Sequence, residues 1–254
     1  MRLRILGASG GIGAGARTTS FLLGRDVLID AGTGVGDLSL DELGAIDHVV
    51  LTHSHLDHVT ALPFLLDAVG ASRQRPVTVH AQAATLDVLK AHIFNNAVWP
   101  DFARIPSPER PFLRYEVFAA GQERVLGGCR VRSIPVTHVV PAVGFLFQGP
   151  NGSLAFSGDT ASTEEFWKVL NSCPDLQHLI IETSFVDAEE EIARIARHFC
   201  PATVVAELRK LKRRPIIHIT HLMPGEEKEI LREIAHHDAG LEVHPLVPGA
   251  VIEF

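Results

Sequence analysis

The chain has 254 residues, of which 46% are apolar and 21% charged; these are the proportions of a globular domain, and they exclude a disordered tail, a collagen-like repeat and a coiled coil. Thirty acidic residues against 23 basic ones give a formal net charge of −7, which argues against a general polyanion-binding surface. The 14 histidines, beside one tyrosine, are the unusual feature, and they favour a metal or acid–base cluster.

Three features of the sequence indicate the cellular compartment of the protein. The three cysteines are widely spaced and form no Cys-x-x-Cys pair, so neither a disulfide framework nor a thiolate zinc site is expected. The segment MRLRILGASGG has only a short apolar run and predicts a first strand rather than a signal peptide. No apolar stretch approaches the roughly 20 residues that span a bilayer. We therefore expect a cytoplasmic protein without a membrane partner.

The first predicted elements are a strand over Arg2–Leu6, a glycine-rich turn over Gly7–Gly15, and a hairpin formed by Thr19–Leu23 and Asp26–Asp30. The segment ILGASGGIGAG resembles the GxxxGxG nucleotide loop of short-chain dehydrogenases. That loop needs a crossover helix after the glycines, whereas a hairpin follows here, and the Tyr-x-x-x-Lys pair of those enzymes is missing. An oxidoreductase is therefore not expected, although the glycines would allow the backbone to approach a bound anion closely.

The next strand, His48–Thr52, leads into the most informative stretch, THSHLDHV. His53, His55, Asp57 and His58 place three imidazoles and one carboxylate within six residues at a strand-to-helix turn. Alternate side chains of extended backbone point the same way, so His53 and His55 share a direction, and Asp57 and His58 turn back as the helix begins. Nitrogen and oxygen donors at this spacing suit Zn²⁺, Mn²⁺ or Fe better than Ca²⁺.

The rest of the chain predicts strands and helices around one long excursion. Residues 95–112 contain four prolines, so we expect an irregular surface loop there. Strands interleaved with helices indicate an α/β sandwich, with helices on the outer faces of packed sheets, and we predict a single domain over residues 1–254. The further predicted helices are Leu62–Val69, Ala83–Phe94, Thr163–Leu170, Ala188–His198, Ala202–Leu211 and Glu226–His237. The further predicted strands are Val77–Ala81, Leu113–Phe118, Glu123–Leu126, Arg130–Val136, Gly144–Gln148, Ser153–Ser157, Leu179–Glu182 and Ile216–Thr220.

The stretch HSHLDH is similar to the HxHxDH motif of the metallo-β-lactamase superfamily. The resemblance implies an αββα four-layer sandwich with two divalent metal ions, expected to be Zn²⁺, with Mn²⁺ or Fe as alternatives. Three later segments, PVTHVVP, LAFSGDT and IIHITHLMP, supply matches to the family's remaining ligands. The resemblance assigns His53, His55 and His138 to one ion, Asp57, His58 and His221 to the other, and Asp159 to the bridge between them. Asp30, in LIDAG, matches a carboxylate that orients a ligand histidine.

The longer segment THSHLDHVTALPFLLD resembles the signature of class II cyclic-nucleotide phosphodiesterases, and TTSFLL, HIFNNAVWPDF and IIETSF extend the resemblance. It implies hydrolysis of 3′,5′-cyclic nucleotides (cAMP or cGMP) to 5′-monophosphates. Two metal ions neutralise the phosphate oxygens and lower the pKa of a bridging water, and the resulting hydroxide attacks phosphorus in line. The expected partner is therefore a small cyclic nucleotide and not a nucleic acid.

Two further assignments come from the same family. IIETSF and the ARHFCP that follows also resemble the Glu…His pair of the tRNA 3′-end endonucleases (RNase Z), which implies that His198 is the general acid and that Glu182 orients it. The alternative is a strand-end carboxylate and a helix-end cation without a catalytic role. In the excursion, Trp99 could stack on the base and Asn96 could bind its edge; otherwise the aromatics anchor the loop on the core or on the partner in a homodimer.

Two other functions remain open. An RNase Z-like endonuclease acting on tRNA 3′ ends would need a basic surface, which the net charge opposes, although KLKRR is a local basic run. A metalloprotein that binds a cyclic nucleotide without cleaving it would have no need of seven intact ligands.

Overall fold

The computed structural model of the protein describes residues 1–238 and 240–254. Within these residues, most of the strands form two seven-stranded mixed sheets. In spatial order the first sheet contains β16 (Val251–Glu253), β1 (Arg2–Gly7), β2 (Ser20–Leu23), β3 (Val27–Ile29), β4 (His48–Val50), β5 (Val77–Ala81) and β8 (Leu113–Val117). The second contains β15 (Val243–Pro245), β14 (Ile216–Thr220), β13 (Leu176–Glu182), β12 (Ser153–Phe156), β11 (Ala142–Gln148), β10 (Cys129–Val136) and β9 (Glu123–Leu126).

The helices are short, and none in the described part of the chain is long and apolar enough to cross a membrane. They are α1 (Leu40–Ala45), α2 (Leu56–Val59), α3 (Leu62–Val69), α4 (Ala83–Val88), α5 (Glu164–Ser172), α6 (Glu190–Ala196), α7 (Pro201–Leu208) and α8 (Glu227–His237). A π-helical turn over Leu89–Ile93 extends α4.

Three buried apolar clusters show how the layers stack. The innermost lies between the sheets, where Phe21 and Phe156 meet edge to face with ring centroids 5.0 Å apart. A second cluster joins α1, α3 and α4 to the outer face of the first sheet, and a third joins α5, α7 and α8 to the outer face of the second. The central strands of each sheet are thus covered on both faces, which explains why β2, β3, β11 and β12 are almost wholly apolar. The predicted αββα four-layer sandwich is confirmed.

The direction of the strands places the site. β3, β4, β5 and β8 run parallel in the first sheet, and β12 to β15 run parallel in the second. The carboxyl ends of β4, β12 and β14 lead directly into the predicted ligand segments, and parallel strands bring such ends to one edge of a sheet. A hydrogen bond from Val143 N to Thr52 O (3.1 Å) joins the two sheets at this edge.

The structure corrects several of the predicted elements. The excursion is not wholly irregular, because β6 (Pro106–Ser107) and β7 (Arg110–Pro111) pair as a small hairpin. The predicted helix Ala83–Phe94 changes to π-helical geometry after Val88. The predicted helix Ala188–His198 ends at Ala196 with Arg197 in the left-handed region, so His198 lies beyond the helix. Helix α1 and strands β15 and β16 were not predicted.

The glycine-rich turn and the cysteines can be compared with their expected surroundings. The glycine-rich turn is followed by the antiparallel pair β2–β3 and not by a crossover helix, as a nucleotide-binding βαβ unit would require. The three cysteines are free and buried. Burial raises the pKa of the Cys129 thiol to about 11, which is typical of an inert structural cysteine.

Candidate metal centre

The segment after β4 folds as its spacing predicts. Residues 51–55 form a short loop that bends at Thr52, and α2 begins at Leu56 with His55, in extended backbone, as its N-cap residue. His53 and His55 lie close together, with ring centroids 4.7 Å apart. The first turn of α2 then brings the His58 ring to 4.3 Å from that of His53. One strand end and one helical turn thus gather four potential ligands.

The first group of donor atoms comes from both sheets. His53, His55, His138 and Asp159 each offer one nitrogen or oxygen, and these atoms lie within 4.8 Å of one another. His55 Nδ1 is 3.1 Å from His138 Nε2, and His53 Nε2 is 3.6 Å from Asp159 Oδ2. His138 reaches the group from the loop after β10, and Asp159 from the loop after β12.

The second group contains Asp57, His58, Asp159 and His221, again within 4.8 Å of one another. Asp159 Oδ2 is 3.2 Å from His58 Nε2 and 3.3 Å from His221 Nε2. Asp57 Oδ2 is 3.2 Å from His221 Nε2. Asp159 therefore belongs to both groups. The seven ligands predicted from the resemblance are brought together, and the assignment of each to an ion stays a prediction.

The donor set fits metal ions by an independent test. The Nε2 atom of His53 is buried and has no hydrogen-bond partner among the described residues, which is costly for a polar atom unless a cation or water satisfies it. Burial lowers the pKa of His53 well below its ordinary value, so its ring is neutral and its nitrogen available as a ligand. Borderline nitrogen and hard oxygen donors are the chemistry that suits zinc, manganese or iron.

Two contacts outside the groups orient ligand histidines. His58 Nδ1 is 2.7 Å from Asp30 Oδ2, and Asp30 also accepts hydrogen bonds from Thr52 N and Thr52 Oγ1, both at 2.8 Å. Asp30 thus holds the Nδ1 proton of His58, which leaves Nε2 facing the ligand group. Burial raises the pKa of Asp30 and outweighs the opposing effect of His58. His138 Nδ1 is 3.2 Å from the Arg197 carbonyl oxygen, which serves the same purpose.

His198 and Glu182 form a pair beside the metal ligands. His198 Nδ1 lies 2.9 Å from Glu182 Oε1. The His198 ring is 4.9 Å from that of His138 and is stacked on that of His221 at 5.2 Å, so it borders one histidine of each ligand group. Burial lowers the pKa of His198, but the charge and hydrogen bond of Glu182 raise it to about 9. Glu182 therefore favours the protonated form of this ring.

Ser184, which the sequence analysis did not predict as a site residue, contacts both the His198–Glu182 pair and a candidate ligand. It is buried, and its Oγ lies 2.9 Å from His221 Nδ1, 3.1 Å from His198 Nδ1 and 3.1 Å from Glu182 Oε2. Its position two residues after Glu182 places both side chains on the same side of extended backbone. That alternation within IIETSF is the signal that could have found it.

The two residues predicted to bind the base contact other parts of the protein in the structure. Trp99 is half-buried and packs edge to face on the exposed Phe64, with ring centroids 5.1 Å apart. Asn96 Oδ1 accepts a hydrogen bond from Asp101 N, and Asn96 N donates to Trp99 O. Both residues thus stabilise the excursion, and their binding role remains a prediction.

The glycine-rich turn approaches the site closely. A Cβ atom on Gly10 would lie 2.7 Å from both Nδ1 and O of His221, nearer than side chains tolerate. His221 itself has a φ of 63°, a strained conformation for a histidine. The glycines thus let this backbone approach a candidate ligand, and the expected approach to a bound anion stays a prediction.

Comparison with known proteins gives both a family and a fold. The family model described as a beta-lactamase superfamily domain matches residues 25–241. A probable 3′,5′-cyclic-nucleotide phosphodiesterase of Yersinia pestis is 28% identical over 230 residues, 78% of this chain and 65% of that protein. A ribonuclease Z of Bradyrhizobium diazoefficiens is 27% identical over 293 residues, 92% of this chain and 93% of that protein. The crystal structure of unliganded yeast PDE1 superposes with a TM-score of 0.82 at 18% identity, covering 98% of both chains.

Proposed function

Because this chain belongs to the metallo-β-lactamase superfamily of metal-dependent hydrolases, we propose that it hydrolyses 3′,5′-cyclic nucleotides to 5′-monophosphates with two divalent ions, expected to be Zn²⁺. One observation carries the proposal. His198, held by Glu182, borders His138 of one ligand group and His221 of the other. This position supports a role for His198 as the proton donor to a phosphodiester that both ions would bind.

The proposal assigns each candidate ligand to one of two ions. His53, His55 and His138 would hold one ion, Asp57, His58 and His221 the other, with Asp159 between them. When bound, the ions neutralise the phosphate oxygens and make a water molecule more acidic.

The remaining step falls to His198. As water attacks phosphorus, the bond from phosphorus to the 3′-oxygen breaks, and the departing alkoxide needs a proton. His198 Nδ1 faces Glu182, so Nε2 is the atom that donates it. General acids of this kind contribute about 10²–10⁴-fold.

Charge and size favour a small substrate over tRNA. The formal net charge of −7 opposes binding to a long polyanion, whose affinity depends on many cationic contacts. The alignment with the Bradyrhizobium ribonuclease Z runs over 293 residues, more than the 254 of this chain, so that protein has inserted segments that this chain lacks. The chain spans 65% of the length of the Yersinia phosphodiesterase.

The second candidate is an RNase Z-like endonuclease. The Bradyrhizobium ribonuclease Z aligns with 92% of this chain, a larger share than the Yersinia phosphodiesterase does. The same His198 and Glu182 would then protonate the 3′-oxygen of an RNA linkage.

A turnover panel separates the two candidates. Zinc-loaded protein would be assayed on 3′,5′-cAMP, 3′,5′-cGMP, 2′,3′-cyclic nucleotides, bis(p-nitrophenyl) phosphate and a precursor tRNA with a 3′ trailer. We expect turnover of a 3′,5′-cyclic nucleotide and two metal ions per chain by elemental analysis. Cleavage of the tRNA without turnover of cyclic nucleotides would overturn the proposal in favour of the second candidate.

The variant Asp159→Ala tests whether the hydrolysis depends on the candidate metal centre. Because Oδ2 of this carboxylate faces nitrogens of both groups, its removal should release at least one ion and abolish hydrolysis of all diesters. Full activity of this variant would contradict the shared role of Asp159.

A further inference from the structure

The Ser184 hydroxyl lies between a candidate metal ligand and the pair formed by His198 and Glu182. Its Oγ is within hydrogen-bond distance of three side chains: His221 in a ligand group, His198, and Glu182. Ser184 is 1% exposed, and Glu182 is fully buried, so bulk water does not compete for these bonds. A single oxygen thus connects a candidate metal ligand to the proton donor.

The bonding capacity of a hydroxyl fixes the direction of each bond. It has one proton to donate and two lone pairs that accept. Glu182 already receives N–H donors from Thr160 and Phe199, and its oxygens act as acceptors. The Ser184 proton therefore goes to Glu182 Oε2.

Both histidines must then donate to Ser184. His221 Nδ1 lies 2.9 Å from Oγ and is held as N–H. His198 Nδ1 lies 2.9 Å from Glu182 Oε1 and 3.1 Å from Oγ, so its N–H is shared between the two acceptors. With Nδ1 protonated on both rings, Nε2 of His221 is free as a ligand, and Nε2 of His198 is the group that faces substrate.

We propose that Ser184 is a positioning residue that couples the two halves of the site, because its hydroxyl fixes the Nδ1 protons of both His221 and His198. This inference rests on the proposed function for its His198 half only. A displacement of either ring is transmitted to the other through one oxygen and the Glu182 carboxylate.

The test compares three variants. Ser184→Ala removes the hydroxyl, and Ser184→Thr keeps it. Thr183→Val removes a neighbouring buried hydroxyl that donates to the Glu182 carbonyl and has no other hydrogen bond within residues 1–238 and 240–254. Zinc affinity is measured on metal-free protein by competition with a chromophoric chelator, and the absorption spectrum of the Co²⁺-loaded protein reports on ligand geometry.

We expect Ser184→Ala to weaken the binding of one of two zinc ions by about 10-fold or more, the usual effect of losing a group that orients a ligand histidine. Its cobalt spectrum should change, while Ser184→Thr and Thr183→Val should stay within about 2-fold of the parent protein. Equal zinc affinity in Ser184→Ala and Thr183→Val would overturn the proposal, whatever the substrate.

Kinetics test the His198 half. Ser184→Ala should lose more kcat/KM on a cyclic nucleotide than on bis(p-nitrophenyl) phosphate, whose leaving group needs no proton. If zinc affinity falls but this ratio does not change, the hydroxyl orients His221 alone and the coupling is wrong. If the parent protein turns over no diester at all, the proposed function fails, while the chelator experiment still decides whether Ser184 positions His221.

Discussion

The pair His198–Glu182 allows a sharp residue-level prediction. The 3′-alkoxide of a cyclic nucleotide is a poor leaving group, whereas p-nitrophenolate departs without a proton. His198→Ala should therefore lower kcat/KM by about 10²-fold or more for the cyclic nucleotide and far less for bis(p-nitrophenyl) phosphate. Glu182→Gln should show the same selectivity more mildly, since Glu182 only orients and charges the ring.

The control for this prediction is His236→Ala, which removes an exposed histidine near the end of α8 and should leave both rates unchanged. Equal losses on both substrates in His198→Ala would mean that the ring supports the fold or the ligands instead. No loss on either would return His198 to the alternative in which it has no catalytic role.

Locality decides which site residues a sequence can reveal. His53, His55, Asp57 and His58 lie within six positions, so backbone alternation and one helical turn are enough to bring them together. His138, Asp159 and His221 follow three different strands, and only the resemblance to a family indicated them. Ser184 was not predicted as a site residue, because a serine near the end of a strand commonly forms local hydrogen bonds to the backbone.

At the level of elements, the glycine-rich segment before β2 lies against a candidate ligand. A Cβ on Gly10 would collide with the His221 ring and carbonyl, whereas one on Gly13 would meet its nearest atoms at 3.6 Å, an ordinary contact. We expect Gly10→Ala to weaken zinc binding about 10-fold or more, because His221 must shift. Gly13→Ala should bind zinc as the parent protein does. Similar chelator competition curves for the two variants would contradict a packing role for Gly10.

Helix α1 begins with a capping box that makes its stability depend on pH. Ser39 Oγ accepts from Glu42 N, and Glu42 Oε2 accepts from Ser39 N at 2.9 Å. Hydrogen bonds from the Ser39 backbone and from Arg4 lower the pKa of Glu42 to about 2, from 4.5. The folded pKa is the lower one, so this stabilisation is present above about pH 4.5 and is lost as the pH falls toward 2.

Ser39→Ala should therefore lower the free energy of unfolding at neutral pH by about 1 kcal/mol, measured by urea denaturation. Glu42→Gln, which cannot ionise, should differ from the parent protein at pH 6 and approach it as the pH falls below 4.5. A constant difference across that range would show that the carboxylate charge has no part in the cap.

Apart from helix α1, the elements that the sequence did not predict depend on tertiary pairing. β15 and β16 have three residues each and acquire their geometry from β14 and β1. The hairpin β6–β7 consists of two residue pairs among prolines. Periodicity cannot indicate strands of this length. Strands β5 and β14, of five residues each, match their predicted bounds, because β-branched residues recur along both of them.

On the scale of the whole molecule, the candidate ligands join two sheets. His53, His55, Asp57 and His58 follow a strand of the first sheet, and the other three ligands follow strands of the second. Bound ions would therefore stabilise the folded state, by an amount that grows with the logarithm of free metal. We expect chelation to lower Tm and added Zn²⁺ to restore it, measured by calorimetry.

The Asp159→Ala variant should lose much of this zinc dependence, since the carboxylate faces both groups. Hydrogen exchange should locate the effect at the edge where Val143 N donates to Thr52 O. A Tm that does not respond to zinc, in protein shown to bind it, would contradict the linkage between the two sheets.

The pairing of β1 with β16 has a consequence for the order of folding. Leu3 lies opposite Ile252 in the register of these two strands, so the contact closes a loop of nearly the whole chain. The loss of chain entropy on closing a flexible loop of that length costs about 5 kcal/mol of free energy. Contacts between residues so far apart in sequence therefore form late and slowly. During synthesis β1 can pair with β2 at once, but its other edge stays open until β16 has left the ribosome. The unpaired N–H and C=O groups of an open edge are a template for pairing with other chains, so we expect the nascent protein to be most prone to association in the interval before β16 pairs with β1.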